Sequence, residues 1–258
     1  MTGRALVTGG GARLGAAMAV ELARMGHDVA IHYAHSRDGA EAVAEAVRAE
    51  GRRAATLRAD LLDLDACDGL VPAAAEALGG PLNVLVNNAS IFEHDDIATA
   101  TRESWDRHVG SNLRAPFILT QAFASQAPPV ASDGEPLSTG VIVNMIDQRV
   151  RKLTPEFMTY TLAKAGLWTL TQTAAQALAP AIRVNAIAPG PTLRGSRQSV
   201  RHFDAQRAAT ILERGADADD ICGALRYILT AKAVTGQLFC VDGGQHLGWR
   251  TPDVQGVE

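Results

Sequence analysis

Seven short apolar runs, spaced fairly evenly along the chain, set the strongest limit on how it can fold. They are ALVT (5–8), VAIHY (29–33), ATLRA (55–59), NVLVNN (83–88), GVIVNM (140–145), IRVNAI (182–187) and QLFCV (237–241). Each has the length and the aliphatic content of a buried strand. Between them lie Ala-rich segments of helical periodicity, such as LGAAMAVELARMG, GAEAVAEAVRAEG and the stretch from Trp105 to Gln126. Strands that alternate with helices demand right-handed crossovers and a parallel sheet covered on both faces. The expected fold is therefore α/β, a doubly wound parallel seven-stranded sheet with helices on both faces.

Nothing in the 258 residues reads as a linker between folding units, so residues 1–258 are expected to form a single domain. An apolar fraction of 47% suits a large core, while 24 basic against 28 acidic residues leave a net charge of −4 and no basic stripe. That balance argues against nucleic acid and anionic membrane as partners. The three cysteines, Cys67, Cys222 and Cys240, are far apart, without metal-ligand spacing, so no metal is expected. No charged-then-apolar leader and no run of about 18 apolar residues is present, which points to an unprocessed cytoplasmic protein. Two segments escape the alternation: APPVASDGEPLST (128–139), a polar surface excursion, and PTLRGSRQSVRHFDAQRA (191–208), a long insertion after the sixth strand. Insertions of that length commonly form binding loops, and we take about 191–208 as a substrate loop.

The first strand runs into TGGGARLG (8–15) and then into a helix. Gly9, Gly10 and Gly11 permit a tight turn, and the helix start offers free N–H groups to a phosphate. Asp60, after the third strand, is placed to accept an adenine amine. An acidic residue at the end of the second strand would hold the ribose hydroxyls of NAD. Here the chain reads HYAHSRD, with His35, Ser36 and Arg37 ahead of any carboxylate. With Arg13 of the glycine turn, these donors suit a 2′-phosphate and so favour NADPH.

In YTLAK (160–164), Tyr160 and Lys164 stand four residues apart on one helix face. An ammonium beside a phenol makes it a better acid, and a free Tyr, at a pKa of about 10, needs such help near neutrality. Thirteen residues before the Tyr stands Asp147.

TGGGARLG, Asp60, NNAS (87–90), Asn112, YTLAK, PGPT (189–192) and the closing VDGG (241–244) occur in order over nearly the whole chain. Together they resemble the short-chain dehydrogenase/reductase family, which has a Rossmann fold. The resemblance implies a Tyr that exchanges a proton with substrate, a Lys that lowers its pKa and binds the nicotinamide ribose, and an Asn that supports a proton-relay water. On this chain these are Tyr160, Lys164 and Asn112. It further implies a cofactor site bordered by Gly9, Leu14 and Gly15, by Leu61, by Asn88, Ala89 and Ser90, and by Pro189, Gly190 and Thr192. Members are commonly tetramers, so a homotetramer is expected, with the small residues Ala163, Ala165 and Gly166 allowing helices to approach.

Where most members carry a substrate-orienting Ser, this chain has Asp147. Pteridine reductases and the bacterial dihydromonapterin reductases similar to them also carry Asp there, and Arg in the glycine turn, as Arg13 here. The NNAS followed by Phe92 looks similar too. The resemblance implies a substrate site of Ser90, Phe92, Asp147 and Tyr160, with the aromatic stacked on a pterin. A carboxyl that can both accept and carry a proton suits a ring of heterocyclic nitrogens. The polar segment RVRKLTPEFM (149–158) departs from that pattern. Arg194, Arg197, Arg201 and His202 of the substrate loop would suit a polar or anionic tail. Three readings stay open: NADPH-dependent reduction of a dihydropterin or dihydrofolate-like ring, reduction of a ketone, sugar or acyl thioester by a carbonyl reductase or alcohol dehydrogenase, and a non-catalytic NADP(H) sensor.

Overall fold

Each apolar run becomes a strand of one parallel sheet in the computed structural model, which describes residues 3–195 and 198–251. The strands are β1 (Gly3–Val7), β2 (His27–Tyr33), β3 (Ala54–Arg58), β4 (Val84–Asn87), β7 (Gly140–Met145), β8 (Ile182–Pro189) and β9 (Leu238–Val241). β5 (Ala131–Ser132) and β6 (Pro136–Leu137) form a small antiparallel hairpin, so the polar excursion has structure of its own. The sheet order is β3-β2-β1-β4-β7-β8-β9. The chain winds outward from β1 in one direction and then in the other, which leaves a crevice above β1 and β4, where open α/β sheets bind ligands.

Alternate residues of the central strands feed two cores. Val7, Val84, Val86 and Val143 face helices α1 (Arg13–Arg24), α2 (Arg37–Ala49) and α8 (Ala218–Thr230). Leu6, Leu85, Ile142 and Val184 face α3 (Leu64–Ala77), α5 (Ala115–Gln126) and α6 (Met158–Leu178). Every residue of β4 and β7 is buried, and each such Val, Ile or Leu contributes roughly 1.5–3 kcal/mol. A buried polar chain crosses this sheet: Asn87 donates to Asn144 at 2.8 Å and Asn144 to the Thr171 hydroxyl at 2.9 Å, tying β4, β7 and α6 together.

The helical stretch expected through Trp105 to Gln126 is interrupted. α4 (Arg102–Val109) passes into one π turn, Gly110–Arg114, before α5 begins. Pro116 has no N–H for the Asn112 carbonyl, so the ladder relaxes to longer steps such as Ala115 N–H to the Gly110 carbonyl. The bulge carries Asn112 inward, fully buried. Gly166 on α6 lets that helix approach the bulge, since a Cβ there would lie 2.7 Å from Leu113 of the same chain. The segment 191–208 is not all loop: Val200–Ala208 forms α7, with Ser199 capping it through a hydrogen bond from His202 N–H. Arg197 lies outside the described residues. Among the described residues no helix is long and apolar enough to cross a membrane. The three cysteines are free, and burial pushes the Cys67 and Cys222 thiols up to about 11.

Buried His32 on β2 locks the glycine turn to the sheet. Its Nδ1 accepts the Gly9 N–H at 3.0 Å, so its Nε2 carries the proton and donates to the Ala59 carbonyl at 3.1 Å. Burial, the largest cause for each, holds His27, His32 and His108 below the ordinary imidazole range. Such histidines stabilise the fold above about pH 6.5, and that contribution is lost as pH falls through the lower folded value. Burial alone would raise Asp28 and Asp95, but Arg53 with Arg52 holds the first below the usual carboxylate range, and Thr159 the second. Their contribution is lost only below about pH 4. The urea midpoint should therefore drop between about pH 7.5 and about pH 5.5. His32→Gln, whose amide can still accept from Gly9 and donate to Ala59, should flatten that drop; an unchanged slope would remove His32 from the account.

Candidate active site

Asp147 comes directly after β7 at the carboxyl edge of the sheet, and caps the short turn Gln148–Val150 by accepting the Arg149 N–H at 2.9 Å. Across from it, α6 carries Tyr160 and Lys164 one turn apart, both buried. The Tyr160 hydroxyl donates to the second oxygen of Asp147 at 2.9 Å, and the Lys164 ammonium donates to the Met145 carbonyl at 2.7 Å, two residues before Asp147. A carboxylate, a phenol and an ammonium are thus gathered within a few ångströms.

Their electrostatics differ from the simple expectation. Burial pushes Asp147 up, against the Arg149 N–H and the Tyr160 hydroxyl, which pull it down. Burial and then the charge of Asp147 push the phenol well above its ordinary value, with Arg149 and Ser90 opposing. Burial brings Lys164 down to about 8, while Asp147 holds it up. With the carboxylate as its neighbour, Tyr160 keeps its proton: a donor, not a phenolate. The lowering of the phenol's pKa by Lys164 expected from the sequence is overridden here, first by burial and then by the negative charge of Asp147.

Phe92, half exposed, stands over this group, its ring edge-on to Tyr160 with centroids 4.7 Å apart. It stacks in parallel on Phe157, at 4.3 Å and 4°, and Arg149 covers the Phe157 ring at 4.6 Å. The polar insertion before α6 therefore delivers an aromatic and a cation to the site. Phe157 was absent from the residues expected there. Its place three residues before Tyr160, one helical turn away, is the signal that could have found it. The side-chain amide of Asn112 is fully engaged with Ile91, donating to its carbonyl at 2.8 Å and accepting its N–H at 2.9 Å. In this arrangement Asn112 holds the segment that bears Ser90 and Phe92.

At the nucleotide end, Thr8 accepts the N–H groups of Asn88 and Ala89, and Asn88 donates to the Thr8 carbonyl at 2.8 Å. A Cβ on Gly15 would stand 2.2 Å from the Gly9 carbonyl, so only glycine lets α1 start so close to the turn. Ala12 caps α1 without a side-chain acceptor, and the first turn holds no acidic residue, so this helix start suits an anion. His35, Ser36 and Arg37 are exposed together at the start of α2. Arg13 instead reaches across the crevice and donates to the carbonyls of Leu193 and Arg194 at 2.8 and 2.9 Å. Asp60 accepts the Leu62 N–H at 3.0 Å, and Leu61 is buried. Pro189, Gly190 and Thr192 close the far side, where a Gly190 Cβ would lie 2.6 Å from Asp242, so that PGPT and VDGG meet. Among the described residues, no group of three or more His, Cys, Asp or Glu side chains is placed to hold a metal ion.

The profile of a family described as Enoyl-(Acyl carrier protein) reductase matches residues 11–246. The chain is also 31% identical over 252 residues to the 3-oxoacyl-[acyl-carrier-protein] reductase FabG of Staphylococcus aureus, covering 96% of this chain and 99% of that one. It belongs to the short-chain dehydrogenase/reductase family. Among solved members it is similar to FolM alternative dihydrofolate reductase 1 of Brucella suis in complex with NADP, with 43% identity, a TM-score of 0.90, and 99% of this chain and 100% of that one covered. A short-chain dehydrogenase of Burkholderia cenocepacia in complex with NADP matches at 33% identity and a TM-score of 0.85, over 95% of this chain and 98% of that one. The chain is an oxidoreductase of this family, and the FolM neighbours fit its likeness to the pteridine reductases.

Removing the Asp147 charge lifts the main electrostatic brake on the phenol. Asp147→Asn should therefore bring one of the three tyrosines into titration at lower pH, read as the rise in tyrosinate absorbance on alkaline titration. Tyr160→Phe in the same background should abolish that early component. A curve identical to the wild type would separate the two groups.

Proposed function

We propose that this protein is an NADPH-dependent reductase of a dihydropterin or dihydrofolate-like ring, with Tyr160 and Asp147 as its proton-delivering pair. The observation that carries the reading is the 2.9 Å hydrogen bond from Tyr160 to a carboxyl group, beneath an aromatic ring open to solvent. Similarity to the alternative dihydrofolate reductase of Brucella suis supports it. The exposed donors His35, Ser36 and Arg37 and the uncapped start of α1 fit the 2′-phosphate and the pyrophosphate of NADPH, and the NADP complexes of the solved relatives support that choice. When bound, the nicotinamide supplies the hydride.

The residues of the chain supply the rest. Reduction of a C=N bond adds a hydride to carbon and a proton to nitrogen. Tyr160, held protonated, can release its proton toward the ring when Asp147 turns from acceptor to partner. Asp147, whose affinity for a proton burial raises, can hand Tyr160 a replacement in its protonated form, with that proton taken up from solvent. The same carboxyl is an acceptor for ring N–H and amino groups that a serine hydroxyl meets less well. Lys164, donating to the Met145 carbonyl, keeps a positive charge near the phenol and would hold the nicotinamide ribose. Phe92 and Phe157 offer a flat apolar wall to a planar heterocycle.

A second reading, reduction of a 3-oxoacyl thioester, is favoured by the likeness to FabG of Staphylococcus aureus. The two readings differ in what they ask of Asp147. Asp147→Ser should lower dihydropterin or dihydrofolate reduction by roughly 10² or more, and leave or raise any turnover of acetoacetyl thioesters and simple ketones. Tyr160→Phe should lower both by roughly 10² to 10⁴, with NADPH affinity kept. Pterin turnover should rise as pH is lowered, because Asp147 gains its proton. NADPH consumption with thioesters but never with dihydropterins or dihydrofolate would exchange the first reading for the second.

NADPH should bind at least roughly tenfold tighter than NADH, since one charge-assisted contact to the phosphate is worth about 1.5–3 kcal/mol. Arg37→Glu should erase the gap, whereas Arg13→Leu should do so only in part, because Arg13 must first leave the Leu193 and Arg194 carbonyls. Equal fluorescence-derived affinities in the wild type would end the 2′-phosphate reading.

A further inference from the structure

α6 begins without a cap of its own. Phe157, at its N-cap, has no side-chain oxygen and sits in the left-handed region, with φ 56° and ψ 48°. The first N–H groups of a helix need acceptors, and the turn that carries Tyr160 is one that cannot be left to fray. The acceptors come from a different part of the chain, residue Asp95 in the segment after β4. Its carbonyl accepts the Met158 N–H at 3.2 Å, and its Oδ1 accepts the Thr159 N–H at 3.1 Å. Its Oδ2 accepts the Thr159 hydroxyl in a short hydrogen bond. Asp95 is buried, at 2% exposure.

The network continues in one direction. The Glu93 N–H donates to Nε2 of buried His108 at 3.1 Å, so the neutral ring carries its proton on Nδ1 and donates to the Thr159 hydroxyl at 2.7 Å. That hydroxyl spends its own hydrogen on Asp95. Hydrogens pass in one direction from Glu93 through His108 and Thr159 to Asp95, and the carboxylate at the end faces the positive end of the α6 dipole. The segment that bears Ser90 and Phe92, the helix that leads into the Asn112 bulge, and the turn that bears Phe157 and Tyr160 meet at this one point.

We propose that Asp95 is a positioning residue for the reaction: by clamping Thr159 to the segment after β4, it holds Tyr160 at Asp147 and Phe92 over both. The inference rests on the reading of Tyr160 as the proton donor. It adds a residue that touches neither substrate nor cofactor, and it gives the His108–Thr159 contact a task. The Thr159 hydroxyl is the relay, so a serine there should serve and a valine should not.

Asp95→Ala, Thr159→Val, Thr159→Ser and the Asp95→Ala/Thr159→Val double variant are compared with the wild type on three readouts. These are kcat and KM with the substrate that the wild type turns over best, NADPH affinity by fluorescence, and amide hydrogen exchange of peptides covering 91–96 and 157–162. A misplaced proton donor should cost about 10- to 100-fold in kcat in Asp95→Ala and Thr159→Val, with KM and NADPH affinity little changed. Exchange should quicken in both peptides and nowhere else. Thr159→Ser should match the wild type, and the double variant should be no slower than the slower single one. If Asp95→Ala does not fold, the Thr159→Val and Thr159→Ser pair decides alone. Loss of NADPH binding along with kcat, Thr159→Ser as slow as Thr159→Val, or unchanged exchange would each overturn the proposal. If the wild type reduces nothing offered, exchange and the alkaline titration of Tyr160 still decide it. Faster exchange with an altered titration upholds the clamp, and neither change removes it.

Discussion

A parallel sheet sends all its strand ends the same way, and this molecule hangs its chemistry on that constraint. The carboxyl edges of β1, β4, β7 and β8 lie side by side in the order β1-β4-β7-β8. Residues just beyond these strands are therefore brought together however far apart they lie in the chain. Thr8 and Gly9 leave β1, Asn88 and Ser90 leave β4, Asp147 leaves β7 and Gly190 leaves β8. The crossovers that a parallel sheet demands place α6 so that its first turn overlooks the same edge. Tyr160 and Asp147 then meet at 2.9 Å.

Burial sets the charge pattern at that meeting. In water the three groups would be a carboxylate, a phenol and an ammonium with no influence on one another. With solvent removed, the cost of charge raises Asp147 and lowers Lys164, and each partly repays the other through its opposite sign. The phenol is compensated only in part, by Arg149 and Ser90. It stays protonated because burial, and then the carboxylate that accepts its hydrogen bond, disfavour a phenolate. The result is a proton held between two oxygens at the floor of an aromatic wall.

The rest of the site is held by polar contacts that never touch that proton. His32 ties the glycine turn to β3, the Asn112 amide ties the Phe92 segment to the π bulge, and Asp95 ties the same segment to α6. Each is a buried group with its hydrogen bonds satisfied, and each joins segments with no covalent reason to stay together. Such links are directional, so they set distances that apolar packing alone would leave loose.

Much of the fold was legible because strand and helix periods are local. The seven runs, the glycine turn, the Tyr160–Lys164 pair and the carboxylate of Asp147 all stand in the linear order, since the chemistry of a residue and its spacing along an element do not depend on what lies across from it. What the linear order could not contain are distances between elements. That Asp147 faces Tyr160 rather than solvent, that Arg13 spends its charge on loop carbonyls, that Phe157 brings an aromatic out of a polar insertion, and that Asp95 caps a helix 64 residues away are all consequences of packing. The direction of the phenol's pKa belongs with them. From the sequence, the charge expected to act on Tyr160 is that of Lys164, one helical turn on. In the folded chain burial, and then the charge of Asp147 at hydrogen-bond distance, set the direction, because the cost of a charge and the force between charges both grow as the dielectric falls.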